Sequence, residues 1–356
     1  MKKTLLATAI VGALGASAAA QAATVYDQDG TKLDVYGRIA MGIEGGGPDQ
    51  GGTVDNSEEF VDVFSRLGLR MSQEVTSDLT AFGRVEWRFR GDDRTDLGNP
   101  SDSGFNEVRQ SYLGLQSNQY GTFQAGNFDS FYNQFVSLPF DVYINNGLEF
   151  ATHTKQSRGD SIGYYTPDLQ GFTAFLQLKH YSVRGDAEPV SGEGSVVAPQ
   201  GGVRYQEGPF TVGLGFVSDV VRGGGNGEML GGLIGSYDVN DQFSVRLGYE
   251  GREHSDEGFG NGYDKVGLGG TYTTGPWAFT GDVYDISESG ATGVDRTSWA
   301  LGSYYKVSSN FDVFVELYQA DQQAVNVSLG GNGNIIDVER NNDDDIYYLT
   351  GARYHF

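Results

Sequence analysis

The connections between strands constrain this chain more than the strands themselves do. Sixteen segments read as strands, at about 32–44, 60–72, 79–90, 106–117, 120–127, 157–165, 171–181, 201–207, 210–217, 228–238, 243–250, 264–274, 277–286, 295–306, 311–320 and 345–356. Seven short turns, near 75–78, 118–119, 167–169, 207–209, 239–241, 275–276 and 308–310, alternate with eight long loops. The loops fall near 45–59, 91–105, 128–156, 182–200, 218–227, 251–263, 287–294 and 321–344. An up-and-down array of sixteen strands with both termini on one rim needs seven turns and eight loops. A soluble sandwich has no reason to gather every long loop at one end. Membrane barrels do so, with an even strand number, short turns on one side and long loops on the other.

Within the segments, apolar and polar residues alternate with period 2, which gives each strand two different faces. In Ala81–Gly91, Val85, Trp87 and Phe89 oppose Arg84, Glu86, Arg88 and Arg90. In Phe243–Glu250, Phe243, Val245, Leu247 and Tyr249 oppose Ser244, Arg246, Gly248 and Glu250. Alternation alone does not say which face is inside. A soluble barrel puts the apolar face in, whereas a membrane barrel puts it out towards lipid. An open edge in lipid leaves backbone groups unpaired, so a membrane sheet must close. Sixteen strands enclose a space too wide for side chains to fill, which leaves an aqueous channel.

The N-terminus points to export. Lys2 and Lys3 precede an apolar run from Leu5 to about Ala16, and Ala20-Gln21-Ala22 forms a small-residue cleavage signature. Residues 1–22 are therefore expected to be a cleaved signal peptide and 23–356 a single barrel domain. Removal of the two lysines takes the formal charge from −23 to −25. No later stretch approaches the ~18 apolar residues of a spanning helix. The chain holds 3 Trp, 21 Tyr and 21 Phe, which suits aromatic girdles at two bilayer interfaces and argues against disorder. Its 54 Gly favour many tight reversals. With no Cys there is no disulfide, thiol nucleophile or Cys-bound zinc. The acidic balance disfavours a nucleic-acid partner.

Several stretches resemble successive strands of the trimeric general diffusion porins of Gram-negative outer membranes. They are Val35-Tyr36-Gly37-Arg38, Ser65-Arg66-Leu67-Gly68, Arg109–Leu115, Tyr120–Gly126 and Ser157–Pro167, with the closing Tyr354-His355-Phe356. The resemblance implies an all-β fold, a 16-stranded antiparallel transmembrane β-barrel with long extracellular loops and short periplasmic turns, assembled as a homotrimer. It implies that the third long loop, at about 128–156, folds into the lumen as a constriction. It places Arg38, Arg66, Arg109 and Arg158 at the positions of wall cations, with Arg84, Glu86 and Arg88 on the strand between two of them. Asp129, Asp141 and Glu149 are the acids that the loop offers. Tyr354 and Phe356 match the aromatic terminus read by the barrel assembly machinery. The sequence departs from the enterobacterial pattern in the loop, where Leu138-Pro139-Phe140-Asp141 stands in place of a Pro-Glu-Phe-Gly-Gly-Asp motif.

The function implied is an outer-membrane channel for passive diffusion of ions and small hydrophilic solutes, with no cofactor and no metal. Arginine suits such a wall because it stays charged at any physiological pH. Opposite charges across a narrow gap align water and tune which ions pass. The acids of the outer loops, such as Asp92-Asp93, Glu253 with Asp256-Glu257, and Asp343-Asp344-Asp345, are expected to be solvated charge, and divalent-ion bridging to lipopolysaccharide is the other reading. The loop at 91–105, with Asp92, Asp93 and Arg94, corresponds to the trimer latch of related porins. Enzyme chemistry is disfavoured, because none of His153, His180, His254 and His355 sits in a nucleophile motif. A substrate-specific channel is the main alternative. Phe131, Tyr132, Phe135, Phe140 and Tyr143 would then form an apolar slide for sugars rather than anchor the loop. An adhesin or receptor role of the outer loops stays open.

Overall fold

The structure is a computed structural model and describes residues 22–47, 56–92, 105–145, 147, 149–150, 160–181, 196–221, 224–253, 262–289, 293, 295–320, 322–329, 335–343 and 345–356. The expected signal peptide lies almost wholly outside the described residues, as do Arg158, His153, His254, Asp93 and Arg94. The strands, in order, are β1 (Ala23–Gln28), β2 (Thr31–Gly46), β3 (Glu59–Asp62), β4 (Arg66–Glu74), β5 (Leu79–Phe89), β6 (Phe105–Ser117), β7 (Gly121–Asn127), β8 (Asp160–Tyr165), β9 (Phe172–Tyr181) and β10 (Val196–Glu207). They continue with β11 (Phe210–Val221), β12 (Gly224–Asp238), β13 (Phe243–Arg252), β14 (Gly262–Thr274), β15 (Trp277–Ser289), β16 (Arg296–Lys306), β17 (Phe311–Gln319), β18 (Gln322–Leu329), β19 (Ile335–Asp343) and β20 (Tyr347–His355).

β2 pairs antiparallel with β3 and β4, successive strands from β4 to β17 pair antiparallel, β17 pairs with β20, and β20 pairs with β2 from Arg38↔His355 to Gly46↔Tyr347, so the sheet closes on itself. Taking β3 and β4 as one interrupted stave, and setting β1, β18 and β19 aside, the barrel has the sixteen expected staves. β1 pairs with β2 over residues 31–35, the part of β2 that β20 no longer reaches. It enters through a tight hairpin at Asp29-Gly30, with φ of 53° and 72°. Asp-Gly is a strong two-residue hairpin signal. β18 and β19 pair only with each other, inside the segment read as the last long loop.

Two expectations about connections are corrected. The segment 218–227 is mostly strand, because β11 and β12 continue to pair as far as Val221↔Gly224. The strand expected to start at 201 starts at Val196. Pairing beyond the bilayer needs no apolar alternation, so the pattern fades before the ladder does.

The faces divide as a membrane barrel requires. On β13, Leu247 is 61% exposed and points outwards, while Glu250 on the other face is 0% exposed. Exposed Leu113, Leu214, Leu268, Leu301 and Val315 extend the outer apolar belt round the wall. Outward rings gather beside the short turns: Phe172 packs on Tyr205, Phe210 on Tyr237, and Trp277 on Tyr305. Such rings suit the bilayer interface.

The interior is occupied on one side by the segment that follows β7. It makes a π-type turn at Asn133–Ser137 and a 3-10 turn at Leu138–Phe140. Phe128, Phe131, Tyr132, Phe135, Val136, Phe140 and Phe150 from this segment bury against Phe175, Val217, Leu230, Ile234, Tyr284 and Ile286 of the inner wall. Full burial of such a side chain is worth about 1.5–3 kcal/mol. Inward glycines make the room. A Cβ on Gly163 would stand 2.5 Å from Phe131, and one on Gly213 2.4 Å from the Phe135 carbonyl oxygen.

Candidate functional site

Opposite that packed segment, β2, β4, β5 and β6 carry a cluster of cations around one acid. Glu86 on β5 is fully buried. It accepts from the Tyr36 hydroxyl at 2.8 Å and from Arg84 Nη2 at 2.8 Å. Arg109 pairs with its other oxygen, and Arg66 Nη1 lies 3.6 Å from that same oxygen. Arg38 Nε donates to the Phe64 carbonyl oxygen at 3.0 Å. Arg88 pairs with Glu107 at 3.3 Å and stands over the Phe64 ring. Six of the seven wall residues expected from sequence are thus neighbours on one arc, and Arg158 lies outside the described residues.

Two irregularities aim these side chains. Met41 pairs with Asp62 and Arg38 with Arg66, so Val63, Phe64 and Ser65 face only Ile39 and Ala40. This one-residue bulge reverses the alternation, and both Val61 and Arg66 share the inner face. Without it Arg66 would point to lipid. On β6, Gln110 pairs with Glu86 and Val108 with Trp87, which leaves Arg109 as an extra residue. Gln110, Tyr112 and Gly114 set the inner face, so strict alternation would send Arg109 outwards. The bulge turns it in to meet Glu86 and Asp129.

The three loop acids have different surroundings. Asp129 takes Arg109 at 3.3 Å and accepts from Gln110, fixing the start of the segment to the wall. Glu149 takes Arg296 at 2.9 and 3.1 Å, Ser298 at 3.0 Å and Tyr318 at 3.1 Å, so it anchors the far end on β16 and β17. Burial would raise its carboxyl, but Arg296 and Lys265 hold it below the usual range. Asp141 has no ion pair among the described residues. Burial, then the charge of Asp129, pushes its carboxyl up to about 6, while Arg109, Arg66 and Arg38 pull the other way. It is the loop acid that senses the cation cluster without touching it.

Sequence reasoning missed the groups that hold the segment. Glu316 accepts from the backbone N–H of Ile144 at 2.6 Å and of Asn145 at 3.2 Å. Tyr132 donates to Glu250 at 2.9 Å, and Lys265 donates to the Glu149 carbonyl oxygen at 2.7 Å. Arg246 forks onto Asp282 at 2.7 and 2.8 Å. Each sits on the polar face of an alternating strand, which was the available signal. The five loop aromatics offered as a slide for sugars are all at most 8% exposed, so these five hold the loop and offer no exposed apolar face to a solute.

At the closing seam, Tyr354 is exposed on the outer face. Gly37 N–H donates to the Phe356 carbonyl oxygen at 2.8 Å, and Phe356 N–H donates to the Gly37 carbonyl oxygen at 3.1 Å. His355 and Arg353 share Asp312 inside the barrel.

The family described as Gram-negative porin matches residues 7–325. The monosaccharide porin of Halomonas sp is 28% identical to this chain over 388 aligned residues, covering 100% of both. The structure of the anion-selective porin from Comamonas acidovorans aligns with a TM-score of 0.71 at 18% identity, over 92% of this chain and 100% of that one. OmpT of Vibrio cholerae, an outer membrane protein in its trimer form, aligns at 0.68 with 18% identity over 92% and 100%. At these identities the structural likeness speaks for the fold.

Proposed function

This chain belongs to the Gram-negative porin family and is an outer-membrane diffusion channel, and from that premise we propose that Arg38, Arg66, Arg84, Arg88 and Arg109 on one wall and Asp141 on the facing loop set the field in its narrowest part. Glu86 orders the cations, and Asp129 and Glu149 act as the loop's two fastenings. The observation that carries this reading is the arc of wall cations that meets the loop at Asp129, 3.3 Å from Arg109, with Asp141 further along that loop in no ion pair among the described residues. Water and polar solutes align in such a field and pass. Apolar solutes must displace ordered water without replacing its hydrogen bonds, and are slowed. No reaction is involved.

The solutes of this reading are ions and small hydrophilic molecules. With residues 1–22 removed, the formal charge of −25 (−23 less Lys2 and Lys3) steers cations to the mouth while the arginine wall opposes them, so the net preference is weakly cationic. Reversal potential across a bilayer in a salt gradient tests it. A small cation preference is expected, and Asp141→Asn should move it towards anions. A wild-type value for that variant would sink the role of Asp141.

The rest of the assembly follows the same premise. Residues 1–22 are removed on export, leaving Ala23 first. The barrel is a homotrimer in lipid and lipopolysaccharide, consistent with the trimer form of its fold neighbour. Tyr354 and Phe356 present the terminus that the barrel assembly machinery takes. Three equal conductance steps per insertion would support a trimer of open pores.

A further inference from the structure

Among the described residues three that are not glycine have left-handed backbones: Asp29 and Gln170 in turns, and Phe64, with φ of 62°, within the barrel wall. A bulky residue there is an outlier, and such strain persists only where its surroundings over-determine it. The surroundings of Phe64 do. Ser65 N–H donates to Asp62 Oδ1 at 2.8 Å, Val63 N–H to the Ala40 carbonyl oxygen at 2.8 Å, and Ala40 N–H to Ser65 Oγ at 3.0 Å.

The inverted residue touches the cation wall twice. Its carbonyl oxygen accepts from Arg38 Nε at 3.0 Å, and its ring lies 4.6 Å from the Arg88 guanidinium. The same ring packs on the inward cluster of Val63, Phe314 and Leu349, which Ile144 of the inner segment also joins. It borders a cavity of about 620 Å³ that Arg88, Arg90 and Glu107 also line.

We infer that Phe64 is a positioning residue for permeation: its left-handed backbone carries the extra residue that turns Arg66 inward, its carbonyl fixes Arg38, and its ring holds Arg88 and narrows the passage beside it. The inference rests on the proposed wall. It adds that an uncharged residue in a bulge, and not the arginines alone, decides where those charges stand. A ring under a guanidinium also offsets part of its field, since the face of an aromatic ring is negative.

The test is single-channel recording of full-length Phe64→Gly and Phe64→Tyr. Glycine keeps the left-handed backbone, and with it the inward Arg66, but removes the ring. Conductance should rise and reversal potential should shift towards anions. Tyrosine keeps the ring and should restore wild-type values of both. If Phe64→Gly does not assemble, Phe64→Asn, which also accepts this backbone, carries the same expectation. Unchanged conductance and reversal potential in the ring-less variant would overturn the inference, as would a tyrosine variant displaced as far as glycine. Failure of the wall reading itself is distinguishable, because it shows as a wild-type reversal potential in Glu86→Gln with Phe64 intact.

Discussion

The Tyr36 hydroxyl reaches Glu86 at 2.8 Å by crossing Gly68, which pairs with Tyr36 on one side and with Glu86 on the other. The bridge exists because the strand between them offers no side chain. A Cβ on Gly68 would stand 2.2 Å from Tyr36 Cζ, so Gly68→Ala forces the ring away. The expected loss is about 1–3 kcal/mol for overpacking. Tyr36→Phe removes only the hydroxyl and should cost about 0.5–1.5 kcal/mol. Thermal unfolding in detergent ranks the two, and an alanine variant at least as stable as Tyr36→Phe would show that the ring has somewhere else to go.

Among the described residues Glu86 is the one acid that pairs with Arg66, Arg84 and Arg109 together. Glu86→Gln keeps the shape and leaves three guanidinium groups repelling one another. Removing one partner of a fully buried pair costs several kcal/mol, and these arginines keep some water contact, so the loss should be about 2–4 kcal/mol. The reversal potential should also move towards anions. A variant that loses stability but keeps wild-type selectivity would place this cluster away from the permeation path.

Arg109 marks the limit of what the chain discloses before it folds. Leu113 and Leu115 share its parity and face outwards, and counting by twos along β6 puts Arg109 with them. It faces inwards only because Glu86 on the next strand pairs with Gln110, and that register exists only once β5 and β6 lie side by side. The same holds for Phe64, whose inverted backbone belongs to a pairing with β2. By contrast, the faces of Phe243–Glu250 and Phe311–Tyr318, and the short turns, follow from local pattern alone. The inward glycines read in sequence only as turn formers. Their use as recesses for Phe131 and Phe135 depends on where a distant segment packs.

Asp141 predicts a pH dependence. Its ordinary value is 3.8 and burial, with Asp129, raises it to about 6. The folded protein therefore holds this proton more tightly than the unfolded chain between those values. Asp141 should favour the native state below pH 3.8 and lose that contribution as pH rises towards 6 and beyond. In the open channel the sign is simpler. As pH falls from about 7 to about 5 the loop loses a negative charge, and cation preference should weaken through a midpoint near 6. Asp141→Asn should show no step in that range, and a step of the same size in the variant would assign it to another group.

Glu149 and Glu316 hold the inner segment at its end and middle, and they should fail differently. Glu149 gathers Arg296, Ser298 and Tyr318. Glu316 accepts two backbone N–H groups and the Tyr304 hydroxyl. Glu149→Gln keeps the volume but takes from Arg296 the carboxylate it forks onto, while Lys265 keeps Glu250 at 3.9 Å, for a cost of about 1–3 kcal/mol. The freed end should raise open-channel current noise while the Phe140 and Tyr143 contacts keep Asp141 in place, so the pH midpoint should stay near 6. Glu316→Gln loosens the residues next to Asp141 itself and should shift that midpoint towards the ordinary carboxylate range. Paired noise spectra and pH titrations of the two variants would separate these outcomes. Equal midpoints in both would mean that Asp141 is positioned by the wall and not by the loop's own fastenings.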